Sequence, residues 1–272
     1  PFTRMTAVTL QLEARGSAPF TMRVGAAGAL DGVPWQDFAA TLPHTLPSGN
    51  GVKTVAAQFR DVFGNVSEEA QASIQLDMTA PSGSIRINGG ARFTADASVG
   101  LELAANDGTG SGVEAMRIGN DGMGWTEWMD FGSTMPWTLP EGDGVRQVHA
   151  QFRDRSGNTS LRFTASITLT TSGPSGSVLL NNGGAFTNQL QVVLTLDAAA
   201  PSGVALMRTG LPGTLAAQPW KPFAVSDTLT LPPGDGVKTV AAQFQDTLGL
   251  VSPVVTDDIL LDTTAPTTAV TI

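Results

Sequence analysis

The chain has no cysteine and no tyrosine, only two histidines, and few charges: 15 Lys and Arg against 24 Asp and Glu, 14 % of 272 residues in all. Without cysteine there is no disulfide, no thiolate-bound zinc and no thiol nucleophile. The compartment stays open, because a domain with an adequate core holds together outside the cell without disulfides. A net charge of −9 argues against nucleic acid, whose phosphates need clustered Lys and Arg, and against docking on anionic lipid. No apolar run of about 18 residues, the length that spans a bilayer, occurs, so no membrane insertion is expected in this segment. Pro1-Phe-Thr-Arg-Met5 lacks the charged-then-apolar design of an export signal, which for an exported protein would lie outside the segment. With His44 and His149 alone, no Ser-His-Asp set and no paired carboxylates recur, so the chain does not read as an enzyme.

What the chain does have is repetition, on a background of 31 glycines and 17 prolines. One stretch is written three times: Gly51–Asp61 (GVKTVAAQFRD), Gly144–Asp154 (GVRQVHAQFRD) and Gly236–Asp246 (GVKTVAAQFQD). The spacing of about 92 residues is that of a small all-β domain and too long for a solenoid coil. Within the stretch Val148, Ala150 and Phe152 alternate with Gln147, His149, Gln151 and Arg153. That period of two marks a strand with one apolar and one wet face, and it places His149 in solvent. The expected domains are 1–77, lacking its first strand, then 78–170 and 171–262, with 263–272 as a linker and the first strand of a following domain.

The middle copy supplies the template. Turn signals at Asn88-Gly-Gly90, Asn106–Gly112, Asn120-Asp-Gly122, Glu141–Gly144 and Asp154–Asn158 separate about seven short strands, the expectation for an antiparallel sandwich. The core of each domain is expected to rest on Met116, Trp125 and Phe152, with Met22, Trp35, Phe59 and Met207, Trp220, Phe244 as equivalents.

Three kinds of site are weighed against plain structure. Asp107 and Asp121 sit in Gly-rich loops and Asp77 and Asp262 beside domain junctions; hard oxygen ligands on flexible loops suit calcium, but Asp and Asn also form turns for their own sake. Trp128 and Trp137, special to the middle copy, are candidates for a sugar-stacking platform. Asn65-Val-Ser67 and Asn158-Thr-Ser160 fit the N-glycosylation triplet, in a turn that wants Gly-Asn for its geometry.

These residues resemble a bacterial immunoglobulin-like repeat family found in tandem in large secreted and surface proteins. The resemblance is carried by Asp77–Pro81, Gly83–Gly90, Ser111–Arg117, Asn120–Trp125, Gly142–Arg146 and Gln151–Ser160, and it covers the whole chain. It implies two-sheet β-sandwiches arranged end to end, serving as stalks, adhesin shafts or fibre subunits, with no shared catalytic residues. The chain departs from it where similar repeats often carry a tyrosine on the central strand: here stand Ala56, His149 and Ala241. The alternative is a carbohydrate-binding or accessory module of a larger secreted enzyme or adhesin.

The two ends fit one another. Copy one opens at Phe2-Thr3, the match of Phe93-Thr94 and Phe186-Thr187, so its first strand is missing, while Asp262–Ile272 aligns with Asp77–Ile87. A sandwich without an edge strand leaves backbone groups and apolar core uncovered. Thr267, Thr268, Ala269, Val270, Thr271 and Ile272 of one chain are therefore expected to complete copy one of another by strand addition. The other reading is a segment of a longer continuous array, so the partner is either a copy of the chain, head to tail, or further repeats of the same chain, on or outside a bacterial cell.

Overall fold

Each repeat is built around its long strand, which starts at a glycine with φ near 120° (125° at Gly51, 122° at Gly144, 124° at Gly236), a conformation L side chains avoid. The computed structural model describes residues 1–271. They fall into two compact units: residues 1–89, 100–137 and 147–165 in one, residues 90–99, 138–146 and those from 166 onward in the other, so that strands of the middle repeat run through both.

Copy three, wholly within the second unit, shows the complete plan. A five-stranded sheet runs in the order Phe186–Thr187, Val255–Leu261, Gly236–Asp246, Val204–Gly210 and Lys221–Pro222. A three-stranded sheet runs Ser175–Leu180, Gln191–Ala199, Ser226–Thr230. The inward phases of the two sheets meet in one core: Val178, Leu180, Val192, Leu194 and Leu196 from the small sheet against Met207, Val240, Ala242, Phe244 and Ile259 from the large one. Pairing is antiparallel except for Phe186–Thr187, which lies parallel to Val255–Leu261. Copy two repeats both sheet orders, with Ser82–Ile87 as its first strand. The chain is thus all-β, in tandem sandwiches of two sheets.

The first strand covers the core in a specific way. Gly83 and Gly176 lie directly over Phe152 and Phe244: a Cβ built on either glycine would come 2.5 Å from the ring beneath. Glycine is required here for close approach, and both rings are 0 % exposed. Among the described residues no such strand lies on copy one, and Ala7–Gln11 pairs there with Thr41–Thr45 alone.

Two core expectations are corrected. Trp125 is 36 % exposed, and Phe152 packs instead against Phe163, tilted at 5.8 Å, and Phe131, edge-on at 5.8 Å. Phe59 and Phe244 take Phe38 and Phe223 in the same way, at 6.0 and 5.9 Å. His149 is 5 % exposed and not solvated; its Nδ1 lies 2.9 Å from Thr164 Oγ1 and its Nε2 3.2 Å from Asp121 Oδ1. The cause is that the outer face of the large sheet is not open. The excursion that follows Thr21–Ala26, Val113–Asn120 and Val204–Gly210 folds back over it, burying Leu30 over Gly25, bringing Gly124 against Gly119, and laying Gln218 on Gly210 beside buried Leu215. Ala56 and Ala241, at the position of His149, are buried for the same reason.

Truncating a fully buried aromatic costs about 3–5 kcal/mol. Phe152→Ala and Phe244→Ala are therefore expected to lower stability by that amount. Phe59→Ala, at a half-buried ring, should cost clearly less, as measured by the denaturant midpoints of the three variants.

Candidate functional site

The chemistry most exposed by the fold is unpaired backbone and uncovered core in copy one. Ala7–Gln11 has five residues where its counterparts Ser98–Asn106 and Gln191–Ala199 have nine, because those are paired on both sides and it is paired on one. Val8, Leu10 and Leu12 are half-buried, whereas Val192 and Leu194 in copy three are 0 % exposed. Between this strand and Ala70–Leu76 runs an apolar groove of about 460 Å³ lined by Val8, Leu10, Leu12, Leu46, Val55 and Ile74. A second hollow of about 430 Å³ adjoins Glu13, Ala14, Arg15, Phe59 and Glu69. Glu13 and Ala14 occupy the positions of Ala104 and Ala105, which face Ser84 and Gly83 in copy two. The two hollows therefore trace the place of a first strand.

The other half of this chemistry is the C-terminal segment. Residues 263–271 form no strand, and Val270 is 92 % exposed; Ile272 lies outside the described residues. The root of the segment is nevertheless held. Asp235 Oδ1 accepts Thr263 N–H at 2.8 Å and the Thr263 hydroxyl at 2.7 Å, and its Oδ2 accepts the Thr264 hydroxyl at 2.5 Å. The Thr264 hydroxyl and the two Thr263 donors hold this carboxyl down to about 2. Asp143 holds Thr171 in the same way, its carboxyl lowered by the Thr171 hydroxyl and N–H. Asn50 does so at the exit of copy one, accepting Met78 N–H and donating to Thr79 Oγ1.

The expected calcium ligands separate. Asp77 and Asp107 come together, joined by Asp154, which the sequence reading missed although its Asp-x-x-Gly-Asn turn recurs in copy one; one oxygen of each lies within 4.8 Å of the others. Asp121 is exposed on its hairpin beside His149, and exposed Asp262 caps Thr264 N–H at 3.1 Å, so neither belongs to the cluster. Asp77 is fully buried; burial raises its pKa, but the N–H groups of Ser111 and Thr79 outweigh this and hold it below the ordinary carboxylate value. Asp107 goes the other way: burial pushes it up, Gly112 N–H opposes, and the charges of Asp77 and Asp154 push it further. Its Oδ2 accepts Gly112 N–H at 2.7 Å, while its Oδ1 is buried with no hydrogen-bond partner. Three carboxylates around an orphaned buried oxygen fit a hard divalent cation, and Asp77, Asp107 and Asp154 are the residues that would hold it. In copy three Thr170 and Ala200 stand for Asp77 and Asp107, and Ser202 donates to Asp246 instead.

Both tryptophans singled out for sugar stacking have partners within the chain. Trp128 is flanked by two guanidinium groups, Arg117 at 4.8 Å and Arg153 at 4.7 Å, and Arg117 also lies 4.9 Å from the ring of Trp125. Cation–π stacking of this kind uses the faces a sugar would need. Trp137 is half-buried, its indole N–H given to Asn120 Oδ1 at 2.8 Å. Of the glycosylation triplets, Asn158 is engaged by its side chain with Asp154 and Asp77, and Asn65 with Asp61.

No family model and no curated protein matches the chain. Among solved structures it is similar to fibronectin(III)-like modules of Clostridium thermocellum CbhA, at 14 % identity and a TM-score of 0.31 over 65 % of this chain and 93 % of that one. It is similar to a tetra-tandem repeat in the extending region of a large adhesion protein, at 17 % identity and a TM-score of 0.30 over 91 % and 68 %. A 1.5-MDa bacterial ice-binding adhesin gives 12 % identity and a TM-score of 0.46 over 95 % and 91 %. No helix among the described residues is long and apolar enough to cross a membrane.

The clamp at the root of the tail yields a signed pH dependence. The folded carboxyl of Asp235 titrates near 2 against an ordinary value of 3.8, so its hold on Thr263 and Thr264 is complete above about pH 4 and lost as pH falls through about 2. The protection of the Thr263 amide, its exchange taken relative to the intrinsic rate at each pH, is expected to hold down to about pH 3 and to fall below it, and to be absent at every pH in Asp235→Ala.

Proposed function

We propose that the chain is part of an extracellular, repeat-built stalk or filament, its sandwiches stacked end to end, and that Thr267–Ile272 of one copy supplies the first strand that copy one of another lacks. The role is structural, not catalytic. The observation that carries this reading is the open groove along Ala7–Gln11, whose form in copies two and three shows what fills such a place. There Ile85 and Ile87, or Val178 and Leu180, point into the core; in the tail Val270 and Ile272 share that phase. Added strands gain main-chain hydrogen bonds along the whole edge and side-chain burial at alternate positions. Because the donor and acceptor surfaces differ, the contact is heterologous and does not close on itself, and the product is an open filament.

The complete copies supply a register for the proposal. Arg86 faces Glu102, and Leu179 faces Thr195; by analogy the proposal sets Thr271 opposite Gln11. In a chain without cysteine, Gln11→Cys with Thr271→Cys is expected to give a ladder of disulfide-linked oligomers on oxidation. Adding Val270→Asp should remove the ladder, because the lost burial of one valine, about 1.5–3 kcal/mol, corresponds to about 10- to 100-fold in association. A product that stays monomeric, or a ladder indifferent to Val270→Asp, would sink the reading.

A second, narrower reading concerns calcium. The buried, unpartnered Oδ1 of Asp107 between Asp77 and Asp154 favours an ion that ties the linker after copy one to the loops of copy two. Without a cation the raised pKa of Asp107 means its ionised form opposes folding at neutral pH, a penalty relieved as pH falls toward the unfolded value of 3.8. In chelator, Asp107→Asn is therefore expected to melt at or above the parent. In millimolar calcium the parent should gain several degrees and Asp107→Asn none; equal responses would refute the site.

A further inference from the structure

The turn that follows the long strand of copy two is met by the repeat before it. In copy two this turn is Asp154–Asn158, and within the first unit it meets what precedes it in the chain: Arg4 Nη1 donates to Gly157 O at 2.8 Å, and Asn158 Nδ2 donates to the backbone oxygen of Asp77 at 2.8 Å. Ser156, Gly157 and Asn158 are accordingly half-buried. Copy one carries the same turn with the same internal bracing. Asp61 Oδ1 accepts Phe63 N–H and Asn65 N–H, both at 2.9 Å, and Asn65 Nδ2 donates to Asp61 Oδ2 at 2.9 Å. The turn is thus formed without a partner, yet nothing covers it: Val62 is 55 % and Phe63 78 % exposed. Where copy one places this apolar pair, copy two has Arg155 and Ser156.

We infer that Val62 and Phe63 are the seat for the end of the third repeat of a second copy of this chain, brought there when its tail enters the groove. The inference rests on the strand addition proposed above. Its geometry follows from equal linkers: from Asp262 to Thr267 is the same number of residues as from Asp77 to Ser82. The tail leaves its own body in a set direction, because Asp235 grips Thr263 and Thr264 as Asn50 grips Thr79. A strand seated in the groove then has its linker passing Asn65, as Asp77 passes Asn158, and the body behind that linker comes to lie over Phe63. The groove holds the strand; the turn holds the body.

The test separates the two contacts. Self-association of the full chain is measured by sedimentation for the parent and for Phe63→Ser, and binding of a labelled peptide of residues 262–272 is measured on full chains carrying Val270→Asp, which cannot donate, with and without Phe63→Ser. The seat predicts self-association weakened about tenfold or more by Phe63→Ser, the loss expected for truncating a central interface aromatic, and peptide binding unchanged, since the peptide brings no body. Unchanged self-association with a peptide that still binds would overturn the seat and leave strand addition standing. Equal weakening of both would place Phe63 in the groove and overturn the seat as well. A peptide that binds no form, with chains that do not associate, would remove strand addition itself and the seat with it.

Discussion

Everything in this fold turns on what lies over the phenylalanine of the long strand. Phe152 and Phe244 are sealed because a first strand presents glycine main chain to the ring at a distance no other residue could keep. Where that strand is in place, its neighbour extends to nine residues and the inward valines and leucines disappear from solvent. In copy one the same sequence pattern stops short at five residues and its leucines stay half-buried. The difference lies in pairing, not in local propensity, since Val8-Thr-Leu-Gln-Leu12 alternates as well as Val99-Gly-Leu-Glu-Leu103 does.

The linkers belong to the same constraint. A first strand can cover its core only if it arrives at the right height, and its start is fixed by short polar clamps: Asn50, Asp143 and Asp235 on the threonines that follow the last strand of each repeat. Asp77 does more, since its buried carboxyl accepts N–H groups from its own linker and from the Ser111 loop of the next repeat. Ending one repeat and beginning another are therefore one arrangement of hydrogen bonds.

The period of two and the tripled long strand make the sheets legible from sequence, and Phe2-Thr3 pairs parallel to Ala70–Leu76 as Phe93-Thr94 and Phe186-Thr187 pair with the last strands of their own copies. Alternation tells which residues share a face but not what covers that face. Phase alone puts His149 in solvent, yet it is buried because a loop folds back over the outer surface. Trp125 was assigned to the core on recurrence alone, and it recurs because an arginine stacks on it in each copy: Arg23 on Trp35, Arg117 on Trp125, Arg208 on Trp220. Recurrence shows that a position is constrained without saying by which face. Asp154 is hidden by its own turn, whose need for an aspartate masks its nearness to Asp77 and Asp107.

An open edge beside an uncovered core is a hazard unless it selects its partner, and the tail carries a selective feature of its own. Thr268 stands where copies two and three have Gly83 and Gly176. A side chain at those places meets the ring of Phe152 or Phe244 at 2.5 Å and the carbonyl of Ala104 or Asp197 almost as closely, so the tail is a poor substitute for either resident strand. Phe59 is only half-buried and has an open hollow of about 430 Å³ at its side, room into which the ring can yield. A slip of one residue would turn Thr271 inward and Val270 out, which removes the apolar gain altogether. On the proposed reading, then, the residue that departs from the repeat pattern is what keeps the tail out of finished repeats and leaves the first repeat of a second chain as its place.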